Sequence, residues 1–139
     1  MPTKPFRLAV KAVILDEQGR CLLIRRSAHN RNFVGRWQWP GGKVDAGEDF
    51  ATALTREVME ETNLQVEITG LAGATHFEMP AVHVILLCLE ARLAGGELKL
   101  SEEHDEAGWT PLAELRRLEL ADQVRPFMLD YVARKGAQT

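Results

Sequence analysis

Apolar residues run from Phe6 to Leu15 with only Arg7 and Lys11 breaking the run. The polar tetrad Asp16-Glu17-Gln18-Gly19 follows, and then the apolar stretch Cys21-Leu22-Leu23-Ile24. This pattern predicts two strands joined by a hairpin, the first buried on both faces. Ser27 to Gly35 is polar and reads as a loop. Trp37-Gln38-Trp39 alternates and stops at Pro40-Gly41-Gly42, which is expected to break regular structure.

Glu48 to Asn63 carries helical periodicity. Ala51, Leu54, Thr55, Val58 and Thr62 recur at i+3 and i+4 spacing and form one apolar or small stripe. Glu48 and Asp49 are expected in the first turn, where negative charge suits the helix macrodipole. Gln65 to Met79 and Ala81 to Leu93 are rich in strand formers, and a short strand is expected at Gly108 to Thr110. Val124 to Arg134 reads as a short amphipathic helix with Phe127, Met128, Tyr131 and Val132 free to pack. Strands, helix, strands, helix is the order of an α/β fold, a mixed sheet with helices on its faces.

Composition narrows the function. The 139 residues suit one domain, taken here as 1–139, with 45% hydrophobic and 27% charged positions. A net charge of −3 and the lack of a basic stripe argue against binding a nucleic-acid polymer. An anionic substrate must then be neutralised locally, by a metal ion or by a few placed cations. No leader-like segment opens the chain, and no apolar run is long enough to span a bilayer. Cys21 and Cys88 both lie in apolar runs and read as buried, reduced thiols. A cytoplasmic location and no membrane partner are the resulting expectations. The oligomeric state is left open, a homodimer being one option.

The predicted helix holds the candidate chemistry. At roughly 100° per residue, Glu57, Glu60 and Glu61 fall within an arc of about 100°, in a different sector from Leu54 and Val58. Three clustered carboxylates repel one another, and hard oxygen donors suit Mg²⁺, with Mn²⁺ able to substitute, rather than zinc. Taken alone, Glu-x-x-Glu-Glu reads more readily as a solvated acidic face. Its surroundings change that. Gly42, Glu48, Arg56, Glu57, Val58, Glu60, Glu61 and Leu64 follow the spacing G-x5-E-x7-R-E-U-x-E-E-x-x-U, with U aliphatic. Average residue frequencies would produce its six Gly and charged positions by chance at on the order of 10⁻⁷ per window.

This spacing resembles the Nudix box, G-x5-E-x7-R-E-U-x-E-E-x-G-U. The match departs at one place, where Asn63 stands for the family glycine. That position lies just past the helix, and Asn tolerates a left-handed backbone next best. The resemblance implies a Nudix-type α/β/α sandwich and hydrolysis of a phosphoanhydride assisted by divalent metal. It implies Glu57, Glu60 and Glu61 as metal ligands, with the Gly42 carbonyl beside them. Arg56 is expected to point off the ligand cluster, pair with Glu48 and orient the glutamates from behind. Either Glu60 or Glu57 would take the proton of the attacking water.

Outside the box, Glu103 in Ser101-Glu102-Glu103-His104-Asp105-Glu106 is a candidate further ligand. Lys11, Arg25 and Arg26 are candidates for holding substrate phosphates. Arg25 and Arg26 face opposite ways at strand period, so one of them is expected to be solvated. His29, His76, His83 and His104 lack metal-ligand spacing and receive no role. Trp37, Trp39 and Trp109 read as packing residues.

The segments LLIRRS, GRWQWPGGK and HDEAGW resemble the nucleoside-triphosphate branch of the family. The expected activity is release of a nucleoside monophosphate and pyrophosphate from a small nucleotide. The alternative within the family is a nucleoside-diphosphate-sugar hydrolase acting on a compound such as ADP-ribose. A non-catalytic nucleotide sensor would be expected to lose box carboxylates, and an isomerase relative would need a cysteine in a suitable loop.

Overall fold

The computed structural model describes residues 4–137. Among them are seven strands, β1 (Phe6–Leu15), β2 (Arg20–Arg26), β3 (Trp37–Gln38), β4 (Gly41–Lys43), β5 (Leu64–Glu78), β6 (His83–Gly96) and β7 (His104–Pro111). Two α-helices accompany them, α1 (Phe50–Thr62) and α2 (Arg125–Ala137), with a 3₁₀ helix over Leu112–Arg117. The sheet is mixed, in the order β3-β2-β1-β6-β5, with β7 paired to β2 and β4 paired to β1.

Strand β1 organises the molecule. Along one edge it pairs in parallel with β6 over its whole length, from Phe6 against His83 to Leu15 against Arg92. Along the other edge it has two partners in turn. Ala9 to Lys11 pair with Lys43 to Gly41 of β4, and Leu15 pairs with Cys21 of β2. The sheet therefore forks on this edge, and the fork opens between β2 and β4. The glycines expected to break regular structure form this short strand instead. Gly41 explains why, because at φ 150° a Cβ on it would stand 2.0 Å from the Val10 carbonyl oxygen. Only a residue without a side chain lies this close to its neighbour.

Alternation in β1 feeds two cores. Val10, Ala12 and Ile14 turn toward Ala53, Leu54 and Val58 of α1. Val13 turns the other way, into a core with Trp39, Leu86, Leu115, Met128 and Tyr131. The sheet is thus covered by α1 on one face and by α2 with the 3₁₀ helix on the other. Burial on both faces holds only for the second half of β1, since Phe6 to Leu8 are exposed.

Helix α1 starts later than its periodicity suggests. Asp49 is the N-cap, its carboxylate accepting from Thr52 N at 2.7 Å, so Glu48 precedes the helix and neither acid lies in the first turn. The buried stripe is also rotated. Ala53, Leu54, Val58, Glu61 and Thr62 are buried, whereas Ala51 and Thr55 are exposed. A glutamate therefore occupies the core-facing sector. Cys21 and Cys88 are both buried and unbridged, and burial pushes their thiols up to about 11 and about 12. No helix among the described residues is long and apolar enough to cross a membrane.

Candidate functional site

The fork in the sheet lies between two hollows. One, about 640 Å³, is lined by Gly41, Gly42, Glu57, Glu60, Glu61 and Glu103 together with Lys11 and Arg26. The other, about 360 Å³, is mostly apolar, walled by Phe33, Phe77, Val84, Leu86 and Val124. Lys11, Arg26 and Lys43 border both hollows. Three cations thus stand between an acidic cavity and an apolar cleft.

The three box glutamates differ sharply in environment. Glu61 has 8% of its side chain exposed, Glu57 17% and Glu60 56%. Glu61 Oε1 accepts a hydrogen bond from Gly41 N at 2.7 Å. Burial raises the Glu61 carboxyl to about 7 against the pull of Lys11 and the Gly41 amide, and the charges of Glu57 and Glu103 push the same way as burial. Glu57 is raised as well, first by burial and then against the pull of Arg56. Its carboxylate lies over Gly42, where an added Cβ would meet it at 2.5 Å. Two partly desolvated carboxylates with raised pKa values, one cradled on a glycine, form a donor set that a divalent cation satisfies.

Arg56 reaches further than expected. It forks onto Glu48 with Nε–Oε2 at 2.7 Å and Nη2–Oε1 at 2.9 Å, and Nη2 also donates to the Lys43 carbonyl. Rather than pointing off the cluster, its Nη1 lies 3.1 Å from Glu57 Oε1 and 3.2 Å from Glu60 Oε1. The guanidinium holds Glu48 at about 2. Arg56 therefore ties the loop before α1 to two of the three glutamates.

The remaining candidates separate. Glu103 joins the cavity, where its carboxylate, Glu61 and His104 offer ligand atoms within 4.8 Å of one another. Lys11 projects into the fork, its pKa lowered by burial and raised in part by Glu61. Arg26 borders both hollows while bonded to Asn30 Oδ1 and the Asn32 carbonyl. Arg25 does not reach the site. It pairs with Asp105 and Glu106 outside the hollows and lies over the Trp37 ring.

Three features escape the sequence reading. His104, given no role, is buried against Glu61, its Nδ1 4.0 Å from Glu61 Oε2. Lys43 follows the box glycine directly and lines both hollows, so its position in GGK was the available signal. Phe33 holds φ at 59°, unusual for a bulky residue, and stands in the wall of the apolar cleft.

The chain is similar to known proteins in sequence and in fold. The family model described as NUDIX domain matches residues 5–131. The chain is 35% identical over 107 residues to the ADP-ribose pyrophosphatase of Methanocaldococcus jannaschii, an alignment taking in 76% of this chain and 62% of the relative. It is 36% identical over 124 residues to an 8-oxo-dGDP phosphatase of Homo sapiens, covering 82% of this chain and 37% of that protein. The chain thus spans less than two thirds of the length of either relative. A MutT protein from Methanosarcina mazei Go1 superposes with a TM-score of 0.87 at 32% identity, over 97% of this chain and 99% of that one.

Proposed function

The chain belongs to the Nudix family, and on that premise we propose that it hydrolyses a nucleoside triphosphate to a nucleoside monophosphate and pyrophosphate with Mg²⁺, or Mn²⁺ in its place. The observation that carries this reading is the acidic cavity joined to an apolar cleft through Lys11, Arg26 and Lys43. A base fits the cleft, the phosphates meet the cations, and the bond to be cut falls over the carboxylates.

The donors that would hold the ion are the carboxylates of Glu57, Glu60, Glu61 and Glu103 with the carbonyl of Gly42. When bound, a divalent ion neutralises the phosphate oxygens and lowers the pKa of an attacking water. Glu57 is the proton acceptor. It is the less exposed of the two candidates, burial raises its carboxyl, and Arg56 fixes one of its oxygens. Glu48 steadies Arg56 and contacts no substrate. Lys11 and Arg26 hold the phosphates and the pyrophosphate leaving group. One domain carries the whole site, and its two buried thiols fit a reducing, cytoplasmic setting.

A second reading has its own support, since one relative is named an ADP-ribose pyrophosphatase. Measuring kcat/KM with Mg²⁺ over nucleoside triphosphates, 8-oxo-dGDP and ADP-ribose separates the two. Triphosphates are expected to lead, and turnover in ¹⁸O-labelled water should place the label in the monophosphate. A preference for ADP-ribose above about tenfold, roughly 1.4 kcal/mol, would replace the triphosphate by a nucleotide sugar.

A further inference from the structure

Among the described residues, two buried side-chain atoms have no hydrogen-bond partner, Ser101 Oγ and His104 Nδ1. Both belong to the segment that runs beside Glu61, where Ser101 N donates to the Glu61 carbonyl at 3.1 Å. His104 is enclosed completely, with none of its side chain exposed. Its second nitrogen is engaged, because Gln38 Nε2 lies 2.9 Å from His104 Nε2. An amide nitrogen only donates, so His104 Nε2 accepts and the ring proton sits on Nδ1. Nδ1 itself lies 4.0 Å from Glu61 Oε2, the oxygen that Gly41 does not hold.

We propose that His104 is a positioning residue for Glu61, donating from Nδ1 to Oε2 while Gly41 N–H holds Oε1. Gln38 selects the tautomer that makes this donor. The two elements involved, β3 and the start of β7, both pair with β2, so the sheet itself sets the geometry. An approach of about 1 Å brings Nδ1 and Oε2 to hydrogen-bond length. Carboxylates that bind ions depend on such outer partners for their orientation, and losing one weakens metal affinity about 10- to 100-fold. The protonated Nδ1 has no lone pair to offer, so His104 acts on Glu61 and not as a ligand. This inference rests on the reading of the acidic cavity as a metal centre.

The test is Mn²⁺ binding to the nucleotide-free protein, followed by the electron paramagnetic resonance of the free ion. His104→Phe should weaken binding about 10- to 100-fold. His104→Asn should restore most of it, because its amide nitrogen takes the place of Nδ1. With substrate present, kcat should fall in the Phe variant and KM change little. In the wild-type protein, long-range ¹⁵N–¹H spectra should show His104 protonated at Nδ1 and bare at Nε2, with the Nδ1 signal moving in Glu61→Gln. A bare Nδ1 overturns the proposal even where His104→Phe does not fold. So does a folded His104→Phe protein with wild-type Mn²⁺ affinity, or His104→Asn binding as weakly as the Phe variant. Wild-type protein that binds no Mn²⁺ refutes the metal centre itself, and the inference falls with it.

Discussion

Asn63 ends α1 at φ 63° and ψ 20°, with its N–H returned to the Met59 carbonyl and its side chain donating to the Glu97 carbonyl at 2.9 Å. Glycine adopts this backbone without strain but loses the side-chain bond, so Asn63→Gly is expected to alter stability by less than about 1 kcal/mol. A β-branched residue is strained there, and Asn63→Val should cost about 1–2 kcal/mol. Urea unfolding of both variants checks this, and a Val variant as stable as wild type would refute it. At this scale the sequence was readable wherever function follows local spacing. Glu57, Glu60 and Glu61 share one helix, so 100° per residue suffices to group them. His104 joins Glu61 through the pairing of β7 with β2 and the bond from Ser101 N to the Glu61 carbonyl, and no spacing rule encodes that contact. Arg25 and Arg26 show the same limit. Alternation told them apart, but it does not say which face of β2 borders the hollows.

The loop before α1 is anchored through Arg56, which pairs with Glu48 and with Asp45. Glu48 carries the fork of Arg56, and that contact holds its carboxyl at about 2, below the ordinary 4.5. A carboxyl with a depressed folded pKa contributes stability above its unfolded value, and the contribution is lost as pH falls through the folded value. Wild type should therefore exceed Glu48→Gln in stability above pH 4.5, and the gap should close as pH falls toward 2. Chemical denaturation at a series of pH values measures it, and a gap constant down to pH 2 would contradict the assignment. Elements were legible in kind and less so at their ends. The helix was expected from its stripe, but the cap Asp49 shortens it, and Ala53 and Glu61 in place of Ala51 and Thr55 show the stripe turned by about 60° while Leu54, Val58 and Thr62 stay in it. β4 was hidden because its pairing rests on absent side chains, which a hydrophobic pattern cannot register.

Across the whole molecule, α1 presents its acids at the fork while β5, β6 and the segment leading into α2 wall the apolar cleft. The cost of burying Glu61 falls on the metal-free protein, whose carboxyl is raised to about 7. Mg²⁺ or Mn²⁺ should raise the melting temperature by binding the native state. Glu61→Gln is expected to melt higher than wild type without metal and to gain almost nothing when it is added. Glu57→Gln is likewise expected to lose most of the metal-induced rise and most turnover. Thermal melts with and without added metal decide this, and a full rise in Glu61→Gln would exclude it as a ligand. The division of the site between two faces of one sheet has a consequence for descent. Phe77, Val84, Leu86 and Val124 shape the cleft from elements that supply none of the carboxylates, so mutation can redraw which molecule is accepted while leaving the cutting edge intact. A lineage built this way diversifies by exchanging its wall, and duplicated copies can part in diet long before they part in chemistry.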